Sequence, residues 1–179
     1  MRSSIDLRRL VRAAAAGDPR AWDTLVERFG ALVWSTTRAY GLSPEEGANA
    51  AQTTWLRLAE QLDRLDQHDR LGEWLAATAR RESLRLLSIK RPAVADAPQT
   101  APSSSAPAEP AEPRREALLW GIIHQLPEHC RRLLRILSAI PTPSHEEVAA
   151  ALDLPAASVP AAQASCFNEL RYRIADIQG

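Results

Sequence analysis

Five positive charges gather over residues 80–91 in the stretch ARRESLRLLSIKR: Arg80, Arg81, Arg85, Lys90 and Arg91, against the single carboxylate of Glu82. Such a cluster can form a solvated helix face, favoured near a helix C-terminus by the dipole, or it can meet nucleic-acid phosphates. Trp74 opens the same segment, and an indole there can either stack on a base or fill the core. Arg131, Arg132 and Arg135 make a second cluster later in the chain. Catalysis needs a convergent nucleophile, base or metal-ligand set, and none can be assembled from the sequence. The acidic pairs Glu45-Glu46 and Glu146-Glu147 open helical segments, where carboxylates favour the dipole and the cap. The seven glycines form no phosphate-cradling loop. The expectation is a protein that is not an enzyme, with no catalytic residue, cofactor or metal.

Cys130 and Cys166 lie far apart, with no CxxC motif and no paired histidine spacing. That pattern argues against a disulfide framework and against structural zinc, and predicts two buried small apolar residues. His124 and His129 are discounted as ligands because adjacent helical residues diverge by about 100°. The 22 basic and 22 acidic residues cancel, but not uniformly: residues 1–91 carry a net +3, residues 92–113 a net −3, and residues 114–179 are neutral. No apolar run approaches the roughly 20 residues of a membrane span, and MRSSIDLRRLVR lacks a signal-peptide core. A cytoplasmic protein without membrane insertion is expected.

The segment 91–113 has six prolines in residues 92–113 and almost no large apolar side chain. It cannot offset the entropy of ordering and is predicted to be a flexible linker. It divides the chain into helical blocks, 1–90 and 114–179, giving an all-α fold of two small domains. In the first block Trp22, Leu25, Val26, Phe29, Leu32 and Val33 recur at helical spacing behind an Asp18-Pro19 start signal. Ser43-Pro44-Glu45-Glu46 predicts a capping box for a helix burying Ala51, Trp55, Leu58 and Leu62. A third helix places Trp74, Leu75, Thr78, Ala79 and Glu82 on roughly one face.

Beyond the linker, REALLWGIIHQL and EHCRRLLRILSAI predict two amphipathic helices separated at Pro127. Ser144 and Glu147 supply another capping box, and Pro155-Ala156-Ala157 turns the chain into SVPAAQASCFNELR. A short helix, a short turn and a second helix is the helix-turn-helix pattern, with Ser158 as cap and Pro160 in the first turn of the second helix. Val148, Leu152, Val159 and Leu170 take core-like positions, and Ala149 and Ala150 allow a close helix crossing. The second helix carries no Lys or Arg between Ser158 and Asn168.

The order AAGDPRAWDTLVERFGALVW, QTTWLRLAEQLDRL, GEWLAATARRESLRLL, a Pro/Ala linker, LPEHCRRLLRIL and HEEVAAALDLPAASV resembles the extracytoplasmic-function group of bacterial sigma factors, over about the whole chain. Its most specific parts are Gln52 to Arg57, Trp74-Leu75 with Ala79-Arg80-Arg81, and Leu126-Pro127-Glu128 before the helix-turn-helix. The preference for Arg over Lys, 21 to 1, resembles proteins of high-GC, actinobacterial genomes.

The resemblance implies a subunit that directs core RNA polymerase to promoter DNA and is held in check by an anti-sigma partner. It places Glu46, Asn49 and Gln52 against the polymerase clamp. Asp66, Gln67 and His68 fall in the loop that captures an unstacked base of the −10 promoter element, and Trp74, Arg80, Arg81 and Arg85 on the helix beside the melted strand. Ser158, Pro160, Ala161, Ala162, Gln163, Ser165 and Arg171 fall on the helix that reads the −35 element. Two departures stand out. Glu46-Gly47-Ala48-Asn49 replaces the family's Asp-Ala-x-Asp, exchanging a carboxylate for an amide. Pro160, Ala162, Gln163 and Ser165 replace basic residues, removing phosphate contacts and the commonest base-reading side chain. An alternative is a sigma-like regulatory protein, impaired in −35 reading, that occupies core polymerase or a regulator.

Overall fold

The computed structural model describes residues 2–65, 67–90 and 121–178, and among these every regular element is a helix. Helix α1 spans Arg2–Ala15, α2 Pro19–Ala39, α3 Pro44–Gln61, α4 Leu71–Lys90, α5 Glu128–Leu137, α6 His145–Leu152 and α7 Val159–Gln178. Residues 121–125 are also helical, and 3₁₀ turns occupy Leu62–Arg64, His68–Arg70 and Ala156–Ser158. The expected linker 91–113, the start of the helix expected after it, Asp66 and Arg91 lie outside the described residues.

Local sequence sets most of the helix ends. Asp18 accepts a hydrogen bond from the Arg20 amide at 3.0 Å, with Pro19 at the first helical position of α2. At α3 the Glu46 amide donates to Ser43 Oγ at 3.2 Å while the Ser43 amide donates to Glu46 Oε2 at 2.9 Å. Ser144 and Glu147 repeat that reciprocal pair at α6, at 3.2 and 2.8 Å. Helix α7 starts differently. It is entered through the 3₁₀ turn, and the Ser158 hydroxyl donates back to Pro155 O at 2.7 Å instead of capping α7, which corrects the expectation for that residue.

Helix α1 is not among the helices expected from apolar spacing. Leu7 and Val11, one turn apart, are buried, with Leu10 packed beside them, and α1 lies against α2. Arg8 Nε also donates to Asp69 Oδ2 at 2.9 Å, tying α1 to the connection before α4.

Helix α4 is the centre of the molecule. It buries Leu71, Leu75, Ala76, Thr78, Ala79, Glu82 and Ser83, and packs against α2, α3 and α6. Helix α5 packs against α2. The helices before residue 91 and after residue 120 therefore share one core, in which Leu25, Leu58 and Leu75 join Leu126, Leu133, Ile136 and Val148. Small residues make the α4–α6 approach possible, with Ala76 and Ala79 buried on one helix and Ala149 and Ala151 on the other. Gly72 belongs to the same contact, since a Cβ there would stand 1.9 Å from Glu147 Oε1, the side chain that closes the α6 capping box.

Leu75 is fully buried in this shared core. Leu75→Ala is expected to lower stability by about 2–5 kcal/mol, the usual range for a core leucine truncation. Urea unfolding followed by circular dichroism checks it, and a loss below about 1 kcal/mol, the size of a surface effect, would show that α4 is not central.

Candidate nucleic-acid and polymerase interface

The residues expected at the clamp lie along α3. Glu46, Asn49 and Gln52 recur every three residues on one side of the helix. Asn49 and Gln52 are exposed, as is Leu56 on the next turn, whereas the Glu46 carboxylate is engaged in the capping box. The strip is thus an amide-rich surface with an apolar end, whose single carboxylate already has a task. Across the bundle, Trp22 and Trp55 meet edge to face at 6.2 Å and brace α3 against α2.

The residues expected near the −10 element lie together at the start and along the outer side of α4. Gln67 is exposed and His68 half-buried; Gln67 Oε1 accepts from Arg70 Nη1 at 3.3 Å, and Arg70 Nε donates to Glu73 at 2.9 Å. Trp74 is half-buried and packed against the core, so one part of the ring is structural and the rest is exposed.

The arginines of α4 are held within the protein. Glu82, only 4% exposed, lies 2.6 Å from Arg57 Nε and 2.8 Å from Arg85 Nε, so one buried carboxylate is matched by two cations from α3 and α4. Arg81 Nη2 donates to Thr78 Oγ1 at 2.8 Å. Arg80 reaches across to α6 and pairs with Asp153 at 2.6 Å. Asp153 ends α6 in the left-handed region, φ 61° and ψ 47°, a conformation Asp tolerates better than most residues.

The second basic cluster is also used internally. Arg131 Nη1 donates to the His124 and Leu126 carbonyls at 2.8 and 3.1 Å, covering the end of the helical turn at 121–125. Arg132 pairs with Glu128 and stacks 4.7 Å over the Tyr40 ring. Burial, with Arg38 nearby, lowers the Arg135 guanidinium from its ordinary pKa.

Tyr40 is the polar hinge of the contact between the two halves. It is buried, and its hydroxyl donates to Ala151 O at 2.6 Å. A hydrogen bond of this kind contributes about 0.5–1.5 kcal/mol, and the Arg80–Asp153 pair, with Asp153 70% exposed, about 0.2–1 kcal/mol. Apolar burial between α4 and α6 therefore dominates, while the polar groups fix register.

On α7, Pro160, Ala161, Ala164, Ser165, Phe167, Asn168 and Arg171 are exposed and Ala162 and Gln163 are half-buried, as is Ser158 in the 3₁₀ turn before it. Arg171 Nη2 donates to the Asn168 amide oxygen at 2.5 Å, and Arg173 pairs with Glu169 at 2.9 Å. The outward surface is neutral over its first two turns, with cations only farther along, at Arg171 and Arg173.

Cys130 and Cys166 form a disulfide, with Cα atoms 5.2 Å apart. This corrects the expectation of two separate buried thiols. Sequence spacing carries no trace of the bond because the cysteines are 36 residues apart, and only the packing of α5 against α7 brings them within bridging distance. His129 has a ring nitrogen within 4.8 Å of both sulfurs, but sulfurs bonded to each other are not the thiolates a metal requires. One cavity, between α1, α2 and the end of α3, is about 160 Å³ and lined by Ala14, Trp22, Leu62 and Asp63, smaller than the roughly 300 Å³ at which ligand pockets begin; a wider hollow of about 450 Å³ between α1 and α2 is open to solvent.

Compared with known proteins, residues 25–91 match the Sigma-70 region 2 family. That span covers most of α2, all of α3 and all of α4. The chain is similar to the solved structure of CnrH in complex with the cytosolic domain of CnrY, at 23% identity and a TM-score of 0.63, over 96% of this chain and 98% of CnrH. At that identity the likeness establishes the all-α fold. No curated protein sequence matches the chain. No helix among the described residues is long and apolar enough to cross a membrane. Asp153, Tyr40, Arg132 and Gly72, which build the contact between the halves, are not recognisable as site residues from sequence. Only Asp153 carries a readable signal, as the residue ending a capped helix before Leu154-Pro155.

Burial pushes the Tyr40 phenol up from its ordinary value, opposed by the nearby Arg80 and Arg132 charges. A pKa raised in the folded state gives stability that is present below the unfolded value of about 10 and lost as pH rises through the folded value. Unfolding free energy should fall above about pH 10 more steeply in the native chain than in Tyr40→Phe, which cannot ionise there. Identical alkaline slopes would remove Tyr40 as the titrating group.

Proposed function

We propose that the chain is a sigma factor of the extracytoplasmic-function type, a non-enzymatic subunit that brings RNA polymerase to specific promoters in the cytoplasm. The observation that carries this reading is the match of residues 25–91 to Sigma-70 region 2. In this proposal residues 1–90 serve the polymerase clamp and the −10 element, 91–113 link, and 114–179 form a helix-turn-helix domain for the −35 element. Glu46, Asn49 and Gln52 face the clamp. Gln67, His68, Trp74, Arg80, Arg81 and Arg85, with Asp66 before them, meet the −10 strand. Ser158, Pro160, Ala161, Ala162, Gln163, Ser165 and Arg171 meet −35 DNA.

The closed packing gives the proposal a physical consequence. With α6 on α4, Arg80 is paired to Asp153 and is not free to meet the −10 strand. The closed form is then a resting state, and polymerase binding must separate α6 from α4. CnrH has been solved in complex with the cytosolic domain of CnrY, and an anti-sigma partner is proposed to hold this chain closed.

A second reading follows from the neutral outer surface of α7: a sigma-like protein that occupies polymerase without reading −35 DNA. Run-off transcription across genomic promoter fragments with purified core polymerase separates the two. A working factor initiates from a small promoter set, and Gln163→Arg with Ser165→Arg broadens that set by adding phosphate contacts. An occupying protein initiates from none, and the same substitutions only add DNA binding.

A further inference from the structure

Helix α7 is held to the rest of the protein at very few points. Among residues 159–175, only Val159 and Cys166 are buried, and Ala162 and Leu170 are half-buried against the core. Val159 is the first residue of the helix, so two turns farther along its anchorage is the bond from Cys166 to Cys130. Cys130 lies in the first turn of α5, which packs on α2. The disulfide therefore ties the last helix to the body of the molecule and closes a 36-residue separation containing α6 and the turn.

The function proposed above places the chain on DNA, in a compartment whose glutathione and thioredoxin systems keep thiols reduced. Disulfides in such surroundings are chiefly transient or redox-sensing. We infer that Cys130 and Cys166 form a thiol–disulfide exchange site whose state sets how firmly α7 is seated. The inference rests on the proposed function for its compartment, and on the packing of α7 for its effect.

The chemistry needs a dithiol of the thioredoxin class in one direction and a small-molecule disulfide in the other. A reductant thiolate attacks one of the two sulfurs, forming a mixed disulfide and releasing the other cysteine as a thiolate. His129, exposed and with a ring nitrogen within 4.8 Å of both sulfurs, stands where a proton can be delivered to that leaving group. The second thiol of the reductant then displaces the remaining cysteine, so two protein thiols form as the reductant becomes a disulfide. Oxidation runs the same exchange in reverse. The oxidised chain presents α7 as a pre-organised surface; the reduced chain leaves its second half with only partial contacts.

The test uses the full chain equilibrated in mixtures of reduced and oxidised dithiothreitol, with free thiols alkylated and counted by mass. Backbone amide exchange is followed in parallel for the oxidised chain, the reduced chain, and Cys130→Ser and Cys166→Ser. The folded chain should gain two alkyl groups together as the mixture becomes reducing. Peptides from α7 should exchange about tenfold faster in the reduced chain and both variants, with those from α2 and α3 unchanged. Equal α7 exchange in the oxidised and reduced chains would overturn the inference, as would a bond that survives the most reducing mixture while the protein stays folded. Core polymerase binding by the same samples is a separate readout. Its absence beside a responsive α7 would reject the sigma-factor reading and leave the exchange site standing.

Discussion

The seating of α6 on α4 is the contact from which the rest of the arrangement follows. Helix α4 is buried against α2 and α3 on one side and α6 on another, so it carries few polar residues that are not already partnered. Glu82 illustrates the demand this creates. A carboxylate so deeply buried would be costly alone, and it is matched by Arg57 and Arg85. Small side chains are the other requirement, met by Ala76, Ala79, Ala149, Ala151 and Gly72. Larger residues there would hold the two helices apart, and Tyr40 and Arg80 would lose the partners that register them.

That contact also changes what the basic residues mean. A run of arginines near a helix end suggests a surface awaiting phosphate, yet Arg80 and Arg85 are matched by Asp153 and Glu82, and Arg132 by Glu128 and the Tyr40 ring. Cations engaged internally are less available for indiscriminate phosphate binding, which fits the proposed function. The neutral outer surface of α7 fits the same economy.

Much of the fold is legible in the sequence, and the rest is not, for physical reasons. Caps are encoded within three or four residues, so Asp18-Pro19, Ser43 with Glu46, and Ser144 with Glu147 announce their helix starts from local sequence alone. The buried faces of α2 and α4 follow from apolar spacing in the same way. Helix α1 escapes such reading although Leu7, Leu10 and Val11 have helical spacing, because polar and basic residues surround so short a pattern. The Tyr40 contact is made to a backbone carbonyl, which no side-chain pattern encodes. The disulfide depends on two helices meeting far apart in sequence, and Ser158 loses its expected capping role to a 3₁₀ turn decided by Pro155. At the candidate site, the residue types of the α3 strip and the α4 arginines are plain from sequence, but the Arg80–Asp153 and Arg57–Glu82 pairs emerge only from tertiary packing.

The proposal that this chain works on RNA polymerase is tested by equilibrium binding of the full chain to purified core enzyme. A saturable one-to-one complex is expected, weakened when the exposed α3 strip is altered at Asn49 and Gln52. A folded chain that shows no binding to core enzyme, or binding indifferent to that strip and to residues 25–91 as a whole, would contradict it.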